Sequence, residues 1–218
     1  MRLSLVCLLA LLVSGCVPYA VGTTPEPAPP GEIVASTTVQ VAAGQPNLRK
    51  EVGDNADERV TTFTFDNGVQ FGLDEHSEAG ARLVGSSGIV ATYKRKLTPS
   101  GPRRIATAVL VGGGFVGLGS HAHVEATLLG AYPLSPTMTP YGGVRVQHLL
   151  PLSNDALSPN PAFGGFVGVR LGEPDLGISP ELGIFYSSTD TLFETDWVIV
   201  PSVTVHGSRL LQALGIGF

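Results

Sequence analysis

Cysteine is nearly missing from this chain: there are two, Cys7 and Cys16, and both fall within the first sixteen residues. A disulfide framework is thereby excluded for everything downstream, as is a zinc site built on thiolates. Charge is sparse too. Asp, Glu, Lys and Arg make up 14% of the 218 residues, against roughly 25% in an average soluble domain. No basic run exceeds Lys94-Arg95-Lys96, and the net charge of −5 comes from scattered acids. Nucleic-acid binding therefore lacks its electrostatic footprint. From residue 33 onward, no stretch carries the 3.6-residue periodicity of an amphipathic helix. What the chain does have in abundance is glycine, 28 residues, together with apolar positions that alternate with small polar ones.

The leader comes first. Arg2 is followed by an apolar stretch over residues 3–13, too short for a membrane-spanning helix, which needs about 20 residues, but of signal-peptide length. It ends in Val13-Ser14-Gly15-Cys16. This aliphatic-small-small-Cys order resembles the bacterial lipobox. The resemblance implies cleavage before Cys16 and transfer of a diacylglyceryl group to its thiol; several acyl chains then anchor a protein stably, where one does not. Val17 occupies the position where Asp retains enteric lipoproteins in the inner membrane, so the resemblance implies outer-membrane sorting. The competing reading is an ordinary secretory signal with an incidental cysteine. Cys7 is a small apolar residue of the leader.

Pro18, Pro25, Pro27, Pro29 and Pro30 follow within residues 18–31. Such a segment forms neither helix nor central strand and reads as a semi-extended spacer between anchor and body. The boundaries are thus 1–15 signal peptide, 16–32 lipidated Pro-rich tether and 33–218 a single β-domain.

Period-two alternation in the body predicts strands separated by turn residues. His121, His123 and Glu125 share one face against Ala122, Val124 and Ala126. Val144 and Val146 oppose Arg145 and Gln147; Val167, Val169 and Leu171 oppose Gly168 and Arg170; Leu182, Ile184 and Tyr186 oppose Glu181 and Gly183; Trp197, Ile199, Val203 and Val205 oppose Asp196, Ser202, Thr204 and His206. Asn67-Gly68 carries a type I′ hairpin signal, or else marks a bulge in one long strand. Gly172-Glu173-Pro174-Asp175 predicts a tight turn, and residues 152–161 a longer polar loop. The sum is an all-β chain, an antiparallel up-and-down β-barrel of about ten strands, with eight to twelve compatible.

Alternation does not say which face points outward. Composition does better: the polar faces are rich in Gly, Ser and Thr and poor in charge, whereas a soluble exterior carries many more Lys and Glu. A narrow lumen suits small residues and a few paired charges. Glu125, Arg145, Arg170 and Glu181 fall on four successive polar faces and form a candidate lumen charge network, since an unpaired charge there would be costly. The alternative is solvated surface charge. The segment from Phe71 through the acidic Asp74-Glu75 turn to Leu83, with Tyr93-Lys94-Arg95-Lys96-Leu97 beyond it, resembles the hairpins of bacterial outer-membrane β-barrel proteins. Leu214-Gly215-Ile216-Gly217-Phe218 resembles their C-terminal signal. Tyr93, Tyr132, Tyr141, Tyr186 and Trp197 are the candidates for partial aromatic girdles.

Chemistry is thin. His121, His123 and Glu125 sit at steps of two, roughly 7 Å apart, a donor set that suits zinc or ferrous iron; lumen filling is the plainer reading. Ser120, His121, His123, His206 and Glu125 are the parts available for hydrolysis, but there is no Gly-x-Ser-x-Gly elbow. Gly112-Gly113-Gly114-Phe115-Val116-Gly117 matches a dinucleotide fingerprint in letters only, without a following helix; its glycines read as strand positions that permit bending or close packing. The leading expectation is a lipid-anchored outer-membrane barrel with a structural, surface-interaction or small-pore role, no catalysis and no cofactor. Its partners would be membrane lipid and an unidentified small apolar ligand or envelope protein, not nucleic acid. A soluble periplasmic lipocalin-like barrel and a barrel-embedded hydrolase are the alternatives; the lone Trp197 lies far from where a lipocalin places its Gly-x-Trp.

Overall fold

The computed structural model describes residues 17–46, 59–98, 104–153, 160–187 and 197–213. Among them ten strands run β1 (Ile33–Pro46), β2 (Arg59–Asp74), β3 (Ser77–Val84), β4 (Gly88–Lys96), β5 (Ala106–Val116), β6 (His121–Ala131), β7 (Met138–Pro151), β8 (Ala162–Glu173), β9 (Leu176–Tyr186) and β10 (Trp197–Gly207). Each pairs antiparallel with the next in the chain, and β1 pairs with β10, so the sheet closes on itself. Closure leaves no unpaired strand edge, the one way a sheet can stand in hydrocarbon. A short helix, α1 (Ser208–Ala213), follows β10; Leu214–Phe218 and Cys16 lie outside the described residues.

The alternation resolves into an inverted barrel. Large apolar side chains point outward: Phe63, Phe65, Val124, Leu128, Val144, Ile184 and Val203 are all exposed, and Val167 keeps 66% of its surface accessible. Left in water, each such residue would forgo roughly 1.5–3 kcal/mol of burial, and together they form an apolar belt far beyond ordinary surface patches. The buried faces carry Gln40, Asp66, Glu78, Lys94, His123, Glu125, Arg145 and Glu181. The basic run at 94–96 is split by the pleat, with Lys94 buried and Arg95 exposed.

Two details differ from sequence expectation. Asp66-Asn67-Gly68 is neither a turn nor a bulge: β2 passes through it in unbroken register with β1 and β3. Pairing on both edges, with Phe65 and Val69 outward and Asp66 and Gly68 inward, overrides the local Asn-Gly preference; the register shift of β2 falls instead between Gly72 and Asp74. Tyr141 is not a girdle residue. Its phase on β7 turns it into the lumen, 5% exposed, where its hydroxyl donates to Glu181 Oε2 at 3.0 Å. Outside, Phe163, Tyr186 and Trp197 pack in sequence, tilted and then edge to face, with ring centroids 5.2 and 5.7 Å apart, while Tyr93 and Tyr132 are exposed toward the opposite end.

The two mouths are unlike. One, the loop mouth, receives the connections 47–58, 85–87, 117–120, 152–161 and 187–196. The other, the turn mouth, holds the tight turns after Asp74 and Glu173, the connections 97–105 and 132–137, the start of β1 and the end of β10.

Candidate functional site

The inner wall is lined by more small residues than a ten-stranded circumference needs. Gly68, Gly80, Gly112, Gly114, Gly164 and Gly168 all face inward. About eight strands already enclose a lumen that side chains can fill, so a wider, glycine-lined barrel has room to spare. That room is taken by the chain itself. The Pro-rich segment 17–31, expected as a free spacer, enters beneath the loop mouth, descends the lumen and turns at Pro29–Ile33 into β1. Val17, Tyr19, Ala20, Thr24 and Ala28 are buried. Proline keeps the segment extended, as its composition predicts, but a segment without β-pairing must still satisfy its backbone groups once buried.

Side chains of the wall do that. Gln40 Oε1 accepts from Ala20 N at 2.7 Å, and its Nε2 donates to Val17 O. Glu181 accepts from Val21 N at 2.9 Å and Gly22 N at 3.0 Å. Glu78 accepts from Ala28 N at 2.6 Å. Arg145 donates to the carbonyls of Tyr19 and Ala20, and Arg82 to that of Ala20. Lys94 Nζ donates to Thr23 Oγ1 and to the carbonyls of Thr24 and Glu26, and pairs with Glu78 at 2.9 Å. Two glycines permit the close approach. A Cβ on Gly72 would lie 2.1 Å from Pro29 O, and one on Gly22, which has φ +60°, would lie 2.1 Å from Thr204 Oγ1.

Above this polar stretch an apolar layer surrounds the start of the segment. Tyr19 packs on Phe185 with ring centroids 5.1 Å apart, and Val17, Val84, Val90, Val116 and Val198 belong to the same cluster.

Of the four network residues, two are brought together: Arg145 is ion-paired with Glu125, which also pairs with Arg82 at 3.1 Å. Gly112 makes space for that carboxylate, since a Cβ there would sit 2.9 Å from its Oε1. Glu181 is in the lumen but binds the inserted segment and Tyr141 rather than an arginine. Arg170 stands nearer the turn mouth, donating to Pro174 O at 3.4 Å. Arg82, Lys94, Glu78 and Gln40 complete the arrangement and were not anticipated. The pleat of β1, β3 and β4 places them on the polar face, but only the inserted segment reveals the main-chain groups they bind.

His121, His123 and Glu125 do share the inward face of β6. Among the described residues no group of three or more His, Cys, Asp or Glu is placed so as to hold an ion. The Glu125 carboxylate is engaged by two arginines and lies 3.5 Å from His123 Nε2. The parts of a hydrolytic site are likewise not assembled. Ser120 Oγ lies 2.8 Å from His121 Nδ1, but His206 lies near the other end of the lumen and the acid is committed to Arg145 and Arg82.

No protein-family model and no curated protein matches this chain. Solved structures match it in fold. An outer membrane channel from Pseudomonas putida F1 aligns over 86% of this chain and 99% of its own at 9% identity, with a TM-score of 0.50. Neisserial surface protein A aligns over 80% and 96% at 10% identity, TM-score 0.38. The outer membrane protein OprG from Pseudomonas aeruginosa aligns over 83% and 95% at 11% identity, TM-score 0.30. At these identities the likeness is one of architecture, a closed antiparallel barrel.

Proposed function

We propose that this protein is a lipid-anchored barrel of the bacterial outer membrane whose lumen is closed by its own amino-terminal segment, serving a structural or surface-interaction role rather than open transport. The observation that carries this reading is the placement of residues 17–31 inside an apolar-skinned barrel, with Glu181, Gln40, Glu78, Arg145 and Lys94 bonded to their main chain. A soluble lipocalin-like barrel would need its apolar face inside, and here that face is outside. The lipobox resemblance supplies the anchor. Cys16 is bonded to Val17, which lies beneath the loop mouth, so the acyl chains would be delivered to the side that bears the longer connections. In outer-membrane barrels that side faces the cell exterior. The barrel belt and the lipid then act as two attachments of one chain.

Semi-native gel electrophoresis of membranes from cells making the full chain, a Cys16→Ala version and a version lacking residues 17–31 tests this. The full chain should fractionate with outer membrane and give a folded band that shifts on boiling. The Cys16→Ala version should lose the lipid yet stay membrane-embedded through its strands. In planar bilayers the full chain should be silent and the deleted version conducting. Release of Cys16→Ala as soluble protein with no heat-shifted band would overturn the membrane reading. Equal conductance with and without residues 17–31 would overturn the closed lumen.

A further inference from the structure

The inserted segment does not fill the lumen toward the turn mouth. A cavity of about 310 Å³ lies between residues 21–29 and the wall, rimmed by Pro133, Pro136 and Pro174. That volume falls in the range of small-ligand sites, roughly 300–1,000 Å³. Its two sides differ in chemistry. On the β3–β4 side the cations are satisfied: Lys94 by Glu78 and the segment's oxygens, Lys96 by Glu26 at 2.8 Å.

On the β7–β10 side, donors are left over. Arg170 makes one hydrogen bond, to the Pro174 carbonyl at 3.4 Å, and no ion pair among the described residues. His206 is only 8% exposed, and neither ring nitrogen has a hydrogen-bond partner there; the Ser179 hydroxyl, 1% exposed, lies beside the Tyr141 hydroxyl. Register sets these groups near one another. Arg170 and Ser179 lie on β8 and β9 between the pairs Gly168–Glu181 and Leu171–Ile178, and on β10 His206 pairs with Gly177, two residues from Ser179. Gly177 gives the imidazole its room, since a Cβ there would lie 2.7 Å from Nε2. A buried donor left without an acceptor is costly. A purely structural arginine would be expected to hold an acid, as Arg145 holds Glu125.

We propose that this cavity is a binding site for a small oxyanion, with Arg170 supplying the charge and His206 and Ser179 the flanking hydrogen bonds. A guanidinium presents a planar fork that matches two oxygens of a carboxylate or phosphate. The anion enters from the turn mouth. Glu26, on the inserted segment, acts on Arg170 electrostatically and competes with it.

Calorimetric titration of the detergent-folded full chain with inorganic phosphate, and separately with acetate, tests the site. One or both should bind saturably; which one does identifies a phosphate-type or a carboxylate-type ligand. Arg170→Gln should weaken that binding about tenfold or more, the loss of a charge-assisted fork, while Glu26→Gln should strengthen it. Both variants should keep the heat-shifted folded band. No saturable binding of either anion to the folded protein would overturn the proposal. So would binding that Arg170→Gln leaves unchanged, because the charge at the site would then lie elsewhere.

Discussion

The two ends of the lumen are closed in different ways. Beneath the loop mouth the closure is one of shape: Tyr19 of the inserted segment wedges against Phe185 among Val84, Val90, Val116 and Val198. Toward the turn mouth it is one of hydrogen bonds, with wall side chains gripping main-chain atoms of the segment and a cavity left beside it. The same extended peptide is therefore a stopper at one end and a ligand at the other. The first role depends on which side chains the segment carries. The second depends on the wall, because backbone amides and carbonyls are common to any sequence. Substitutions in the two regions should accordingly fail in different ways.

The largest effect belongs to the junction between the two regimes, where Glu125 holds Arg145 and Arg82. Both arginines also donate to the Ala20 carbonyl, so the carboxylate braces wall and segment together. Glu125→Ala leaves two guanidinium groups without their anion, one of them on the fully interior Arg145, and breaking such a buried pair costs about 3–5 kcal/mol. The urea midpoint of the heat-shifted folded band should drop further for this variant than for any single change at either end. An unchanged midpoint would mean that the segment's carbonyls alone suffice to hold both arginines, and the distinction between the two ends would lose its boundary.

Much of this barrel was legible in the sequence because a strand's period of two does not depend on context. The faces of β6, β8, β9 and β10 follow directly from His121, Arg170, Glu181 and Trp197 and their neighbours, and the number of strands follows from their spacing. Local signals read less well where tertiary pairing competes with them: Asn67-Gly68 became strand because β1 and β3 both claim it. Tyr141 was misplaced because an aromatic on an apolar strand looks outward until its phase against Arg145 is counted. The inserted segment was the largest omission. Proline told of an extended chain, not of where that chain runs. The signal that could have located it is indirect: too many inward glycines, and inward-facing Gln40, Glu78, Lys94 and Glu181 with more hydrogen-bonding capacity than their pairings on the wall use.

At the loop end, the expected break is in the seal. Phe185→Ala removes a ring that is fully buried against Tyr19, a loss of about 3 kcal/mol for a core phenylalanine whose neighbours cannot collapse. Tyr19→Ala should cost a similar amount, and the double variant should cost less than the two together, since rings in contact are coupled. Either single variant should also give small, intermittent conductance in planar bilayers, with the lower hydrogen bonds still in place. Additive losses would place the two rings in separate environments and remove the stopper from the account.

At the turn end the expected effect is smaller and more local. Glu181 accepts from the amides of Val21 and Gly22 and from the Tyr141 hydroxyl. Glu181→Gln keeps the shape but withdraws the charge and turns one acceptor atom into a donor, so bonds that were charge-assisted become ordinary or are lost. The cost should be about 1–2 kcal/mol, borne by the segment more than by the strands. Hydrogen exchange is the discriminating measurement. The amides of Val21 and Gly22 should exchange faster in Glu181→Gln, while ladder amides of β9 and β10 keep their protection. Phe185→Ala, by contrast, should speed exchange first around Tyr19. If Glu181→Gln loosened the strands and left Val21 and Gly22 protected, the segment would be held at this end by shape as well, and the contrast between the two mouths would reduce to the cavity alone.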